Sequence, residues 1–200
     1  MAVPVQTEAT TRERIVVAAA ELFRRQGYAG TGLKQVVTEA QAPFGSLYHH
    51  FPGGKEALAD EVLRTGGAFF LTLYQAFVQA APDYTAAVDD FFAGAAQTLV
   101  ATGYQDACPI ATVAGEVASA NETLRLATAD VFESWLEEMA RDLRRAGAPA
   151  ARAPAVALSV LALLEGAFLL SRAQRSTAAL EAAGTAAVAL VREATAASGA

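Results

Sequence analysis

Residues 31–51 constrain this chain more than any other segment: Thr31-Gly-Leu-Lys-Gln-Val-Val-Thr-Glu-Ala-Gln-Ala-Pro-Phe-Gly-Ser-Leu-Tyr-His-His-Phe51. Pro43 disfavours helical backbone in the residue before it, yet sits comfortably in the first turn of a helix. One helix therefore stops near Gln41 and another begins at once. Phe51-Pro52-Gly53-Gly54 closes the second, because proline and paired glycines punctuate the backbone. Leu33, Val36, Val37 and Ala40 turn inward from the first helix, and Leu47 and Phe51 turn back from the second. Ser46, Tyr48, His49 and His50 are left as a polar and aromatic group, suited to contact with a DNA backbone.

The flanking residues extend an all-helical reading to the whole chain. Nowhere does apolar and polar alternation persist between hairpin turn pairs. Thr10-Thr-Arg-Glu13 is a capping box opening a first helix, with Ile15, Ala18, Ala19, Leu22 and Phe23 at helical spacing and Gly27 as its stop. Thr31 is placed to cap the second helix. A fourth helix, residues 55–80, carries Val62, Gly66, Phe69, Phe70, Leu73, Tyr74 and Phe77 on one stripe. Asp83 caps a fifth reaching Thr102; residues 103–109 form a loop; a sixth spans 110–120. Asn121 opens a seventh that Gly147-Ala-Pro149 closes. Residues 153–175 and 177–197 complete the set, apolar nearly all round, which favours burial against a second copy of the chain. The expected organisation is a helix-turn-helix head, residues 10–54, on a body of residues 55–197.

Charge supports that division. The formal net charge is −6, but residues 1–55 hold six cations against four carboxylates, a net of +2 that leaves −8 on the rest. A mildly basic head on an acidic body fits a DNA reader joined to a part that binds something else. The single cysteine, Cys108, excludes an intrachain disulfide and zinc-finger spacing. Both histidines lie in the head, so no Cys/His or Ser/His/Asp set can form in the body, and an enzyme is not expected. His49 and His50 are adjacent and point to different faces, which disfavours a metal site. No signal pattern opens the chain. The apolar run from Val156 to Leu170, broken by Glu165, is shorter than the ~20 residues of a membrane span. A cytoplasmic protein without a membrane partner is expected.

Leu47-Tyr48-His49-His50-Phe51, preceded by Gly45 and followed by Lys55-Glu56-Ala57-Leu58, resembles the TetR family of bacterial transcriptional repressors. The match covers about residues 10–58. Cys108-Pro-Ile-Ala-Thr-Val113 and Leu164-Glu-Gly-Ala-Phe-Leu-Leu170, followed by Arg172-Ala-Gln-Arg-Ser-Thr177, resemble the LmrA/YxaF-type branch, whose members answer to flavonoids and similar molecules. The resemblance implies a homodimer, joined through the last two helices, that binds a palindromic double-stranded DNA operator and releases it when a small effector enters the body. No cofactor is implied. It implies DNA contacts from Thr31, Gly45, Ser46, Tyr48, His49 and Lys55, with Lys34 and Phe44 beside them. Phe44 departs from the polar or basic residue usual at its position, and its natural contact is a thymine methyl group.

A flat, drug-sized effector calls for aromatic walls and a few orienting polar groups. The candidates are Phe70, Tyr74, Phe77, Gln97, Tyr104, Ile110, Val113, Glu116, Phe132, Trp135, Met139, Glu165 and Phe168. Glu116, Glu165 and Gln97 stand on otherwise apolar stretches and would supply the polar contacts. Glu165 has an equal alternative in a hydrogen bond inside the dimer interface, and Cys108 reads as a small buried residue beside Pro109. The competing function is a helical small-molecule carrier with a vestigial head; sequence-specific, salt-dependent DNA binding separates the two.

Overall fold

The computed structural model describes residues 9–105 and 108–196, so residue 197 of the expected body and part of the 103–109 loop lie outside it. Among the described residues there are nine helices and no strand. They are α1 (Thr11–Gln26), α2 (Leu33–Glu39), α3 (Phe44–His50), α4 (Gly54–Ala80), α5 (Tyr84–Ala101), α6 (Pro109–Val117), α7 (Glu122–Arg145), α8 (Ala153–Gln174) and α9 (Ala178–Ala196).

Local chemistry sets most of the boundaries. At α1 the Thr10 hydroxyl accepts from the Glu13 amide at 3.2 Å, while the Glu13 carboxylate accepts from the Thr10 amide at 2.7 Å, so the capping box forms. Asp83 caps α5 through the Ala86 amide at 2.9 Å, and Asn121 caps α7 through the Leu124 amide at 2.9 Å. The expected cap at Thr31 does not form. Gly32 precedes α2 instead, and the buried Thr31 hydroxyl donates to the Gly27 carbonyl at 2.7 Å, stitching the turn that follows α1. Pro43 stands one place outside α3 rather than in its first turn.

The head packs α1, α2 and α3 around Ile15, Ala19, Phe23, Val36 and Leu47, all of them buried, and Leu58 of α4 closes this core. Arg14 adds a tie the sequence does not announce: its guanidinium Nε donates to the Ala40 carbonyl at 3.1 Å, joining α1 to the end of α2. α4 then continues into the body, where it packs on α7, α5 and α6, while α8 and α9 pack on each other, on α7 and on α5 respectively.

The stripe expected on α4 is partly wrong. Phe69 and Leu73 are exposed, and the buried row is instead Leu58, Ala59, Val62, Leu63, Gly67 and Tyr74. Gly67 lies at the α4–α7 crossing, where an added Cβ would sit 2.6 Å from Val131 Cγ1. The missing side chain lets the Trp135 indole donate to the Gly67 carbonyl at 2.9 Å. α8 also differs from expectation. With 22 residues and a mean hydropathy of 2.0 over its most apolar stretch, it is long and apolar enough to cross a membrane by length and composition alone. Its inner face, including Val156, Val160, Leu161 and Leu164, is nevertheless buried in the bundle.

Gly67→Ala is expected to destabilise the fold by about 1–3 kcal/mol, because Val131 is β-branched and cannot swing clear. Thermal unfolding checks this, and the double variant with Val131→Ala is expected to regain part of the loss.

Candidate nucleic-acid interface and body cavity

On the head, α3 presents its side chains to solvent on one face. Phe44 and Tyr48 are 44% and 49% exposed, unusually open for large rings, and their centroids lie 5.7 Å apart, edge to face. Gly45 and His49 are exposed between them, and Ser46 is half-buried. A Cβ at Gly45 would meet nothing within 4 Å, so no contact inside the fold accounts for the small residue there. Leu47 points the other way, fully buried. Lys34 is exposed on α2. Thr31, 2% exposed and bonded to Gly27, is not part of this face; its side chain is spent on the turn.

Lys55, in the first turn of α4, is half-buried with its ammonium 4.4 Å above the Tyr28 ring. Burial lowers its pKa, and the negative charge of Glu116 opposes that shift. Glu116 is thus not turned into the body, contrary to expectation. It is exposed near the end of α6, and its carboxylate accepts from two consecutive head amides, Tyr28 at 3.0 Å and Ala29 at 2.7 Å. A second junction joins the Asn121 side-chain amide to the Glu56 carboxylate at 2.6 Å. No spacing rule reveals either pairing, since the partners lie far apart in the chain.

In the body, Phe70, Tyr74, Val88, Phe91, Phe92, Met139, Val160, Leu161 and Leu164 enclose a cavity of about 10 Å³. That is room for about one water, and the walls offer it no polar group. Three candidates, Phe70, Tyr74 and Met139, line it directly. Trp135 lies behind them, stacked on Phe70 at 3.9 Å, with Phe132 edge-on to it at 5.5 Å. Phe77 packs edge-on to Phe91 at 5.3 Å. Ile110 and Val113 are buried on α6, and Phe168 is half-buried on α8. Besides Glu116, two candidates stand elsewhere. Gln97 is exposed on α5. Tyr104 lines a separate open groove of about 390 Å³ with Leu169, Arg172 and Arg175.

The body holds two polar clusters, of which the first reaches the cavity through Tyr74. The Tyr74 hydroxyl lies 3.0 Å from the Tyr84 hydroxyl and 3.1 Å from Asp142 Oδ2, and Asp142 pairs with Arg145 at 2.8 Å. One hydroxyl carries one proton, so an ionised Asp142 takes the proton of Tyr74, and Tyr84 donates to Tyr74 in turn. Burial holds the Tyr74 phenol far above its ordinary range and pushes that of Tyr84 up to about 12.

The second cluster is Cys108 with Glu165. The Cys108 sulfur caps α6, 3.5 Å from the Ala111 amide. Burial, and then the charge of Glu165, raise the thiol pKa well above its usual value, so it has no thiolate character. Burial likewise pushes the Glu165 carboxyl up to about 7, against the lowering effect of its hydrogen bond with Cys108. Glu165 Oε1 is buried and has no hydrogen-bond partner among the described residues. Among those residues no group of His, Cys, Asp and Glu is arranged to hold a metal ion.

The fold and these features define a class: a helix-turn-helix head on a helical body. Residues 15–62 match the family described as bacterial regulatory proteins, tetR family, and residues 85–186 match the transcriptional regulator LmrA/YxaF-like C-terminal domain. The chain belongs to the TetR family of regulators, in the branch with an LmrA/YxaF-like body. It is 34% identical to the HTH-type transcriptional regulator LmrA of Bacillus subtilis over 85% of this chain and 90% of that protein. It is 36% identical to the regulator YxaF of the same organism over 80% of this chain and 84% of that protein. A TetR transcriptional regulator from Legionella pneumophila shares the fold, with a TM-score of 0.81 at 22% identity over 91% of this chain and 97% of that one. Regulators of this type bind DNA and act as dimers.

Glu165 gives a pH test. Its folded pKa is raised from 4.5 to about 7. The neutral form therefore favours the fold fully below the unfolded value, and this contribution is lost as pH rises through about 7. The loss is at most about 3 kcal/mol. Relative to Glu165→Gln, the wild-type melting temperature is expected to fall by several degrees between pH 5 and pH 8. A constant difference across that window would contradict the assignment.

Proposed function

We propose that the protein is a ligand-responsive transcriptional repressor. Residues 10–54 read DNA, and the body from residue 55 onward dimerises through α8 and α9 and receives a small hydrophobic or aromatic effector. The observation that carries this reading is the exposed face of α3, where Phe44, Gly45, Tyr48 and His49 face solvent on a family-typical head. Phosphate contacts from Lys34 and Lys55 would supply much of the affinity, and the α3 face would select sequence. Leu158, Leu169 and Leu170 of α8 are exposed, which supports a covered position for this helix in the dimer. A cytoplasmic location goes with this DNA-regulating role and is part of the same proposal.

The aromatic-walled cavity supports an effector site, with Phe70, Tyr74 and Met139 as its nearest walls. A drug-sized ligand needs ~300 Å³ or more, so entry must push these side chains and their helices apart. Such a closed site couples naturally to the heads: the ligand favours the expanded body, and that body no longer spaces the recognition helices for half-sites ~34 Å apart. Turning 99% occupancy into 99% release needs roughly a 10⁴-fold difference in effector affinity between the two states. Of the polar candidates, Glu165, with one buried oxygen free, is suited to accept a hydrogen bond from the ligand.

The test is a titration of the protein against palindromic DNA upstream of its own gene, at fixed salt, with and without planar aromatic compounds. Sequence-preferring binding that one compound abolishes is the expected result. A compound that binds the body and leaves operator affinity unchanged overturns the effector reading. Absence of any sequence preference shifts the weight to a small-molecule carrier. Lys34→Ala is expected to weaken all DNA sequences alike and to reduce the salt slope by about one, whereas Tyr48→Ala is expected to cost about 1–3 kcal/mol and to relax sequence preference.

A further inference from the structure

We propose that Glu116 is a positioning residue for DNA binding, a latch that sets the angle at which the body presents its head. The inference rests on the operator-binding dimer proposed above. Glu116 belongs to α6, a body helix packed on α7, but both of its carboxylate oxygens are committed to the turn after α1. Two adjacent amides held by one ionised carboxylate fix direction as well as distance, whereas an apolar contact can slide. The turn is shaped to admit the carboxylate. Gly27 has φ 79, and a Cβ there would lie 2.0 Å from Glu116 Oε1.

The same grip reaches the DNA face. Tyr28, whose amide Glu116 holds, carries Lys55 above its ring, and the Glu116 charge acts on that ammonium. Lys55 is seated by the Tyr28 ring and makes no ion pair with Glu116 among the described residues, so the latch acts on the head's attachment. Two further polar ties, Arg12 to Glu61 at 2.9 Å and Asn121 to Glu56 at 2.6 Å, both end on α4, which already packs against the head. α1 also packs on α6, and the Glu116 carboxylate adds to that packing a pair of directional bonds to head amides.

Being exposed, the latch adds little to folding stability, so its removal leaves a folded protein. What changes is orientation. A dimer must seat two heads on two half-sites at once, and only the fraction of molecules with the correct spacing binds. Freed heads lower that fraction without altering any group that touches DNA.

The experiment compares full-length wild type, Glu116→Ala and Glu116→Gln on a duplex carrying the whole operator and on one carrying a single half-site, at one salt concentration. Whole-operator affinity is expected to fall about tenfold for Glu116→Ala and less for Glu116→Gln, which keeps one acceptor oxygen. Half-site affinity stays within about twofold and the melting temperature is nearly unchanged. Equal losses on both duplexes, or no loss on either, overturn the proposal.

A second readout needs no DNA. Trp135 is the sole tryptophan, and it can donate energy to an acceptor attached at Glu39→Cys on the exposed end of α2. Cys108, half-buried and held as the thiol by its raised pKa, reacts slowly with the label. Time-resolved transfer is expected to show a broader head-to-body distance distribution in Glu116→Ala than in the parent; an unchanged width refutes the latch. If wild type shows no operator preference, the DNA reading fails while this width still decides the role of Glu116.

Discussion

The indole of Trp135 donating to the carbonyl of Gly67 is the contact on which the body depends. It requires α4 and α7 to approach until only a hydrogen atom fits at position 67, and it places a fully buried ring at the crossing. Phe70 stacks on that ring, and Phe91 meets Phe70 edge-on at 5.6 Å, so one backbone approach organises the aromatic wall of the cavity. α4 begins under the head and reaches this crossing without a break, so one continuous helix joins Lys55 to the aromatic wall.

Around this apolar centre the polar groups are arranged in chains rather than left alone. Tyr84, Tyr74, Asp142 and Arg145 link α5, α4 and α7 through one continuous series, so the charge of Asp142 is satisfied from both sides. Such a series resists sliding of the three helices, since any displacement breaks a bond in a place water cannot easily reach. Glu165 is the contrast: it has Cys108 on one side and an unfilled acceptor on the other.

Elements governed by local chemistry were legible from the chain. The Thr10, Asp83 and Asn121 caps act within three residues of themselves, and the helices they open begin where those residues predict. Leu47 and Phe51 were readable as inward-facing because period and motif agree. The failures share a cause, which is competition between a local role and a distant partner. Thr31 has the chemistry of a cap, yet the Gly27 carbonyl takes its hydroxyl. Glu116 has the look of a lone carboxylate on an apolar helix, but its partners are backbone amides 87 and 88 residues away, which carry no residue identity. Phe69 and Leu73 belong to the right helix and the wrong face, because α4 changes neighbours along its length and no single stripe describes it.

The outward side chains of α3 make few demands on the rest of the molecule. Gly45 has open space around it, and Phe44, Tyr48 and His49 stand in solvent while Leu47, with Phe51 at its C-cap, anchors the helix. On the proposed DNA-reading role, substitution on that face would change what the helix reads and leave what holds it untouched. Under that role, a new target sequence could be acquired through side chains whose replacement costs the scaffold within about 0.5 kcal/mol each, so address and architecture would be separable in this fold.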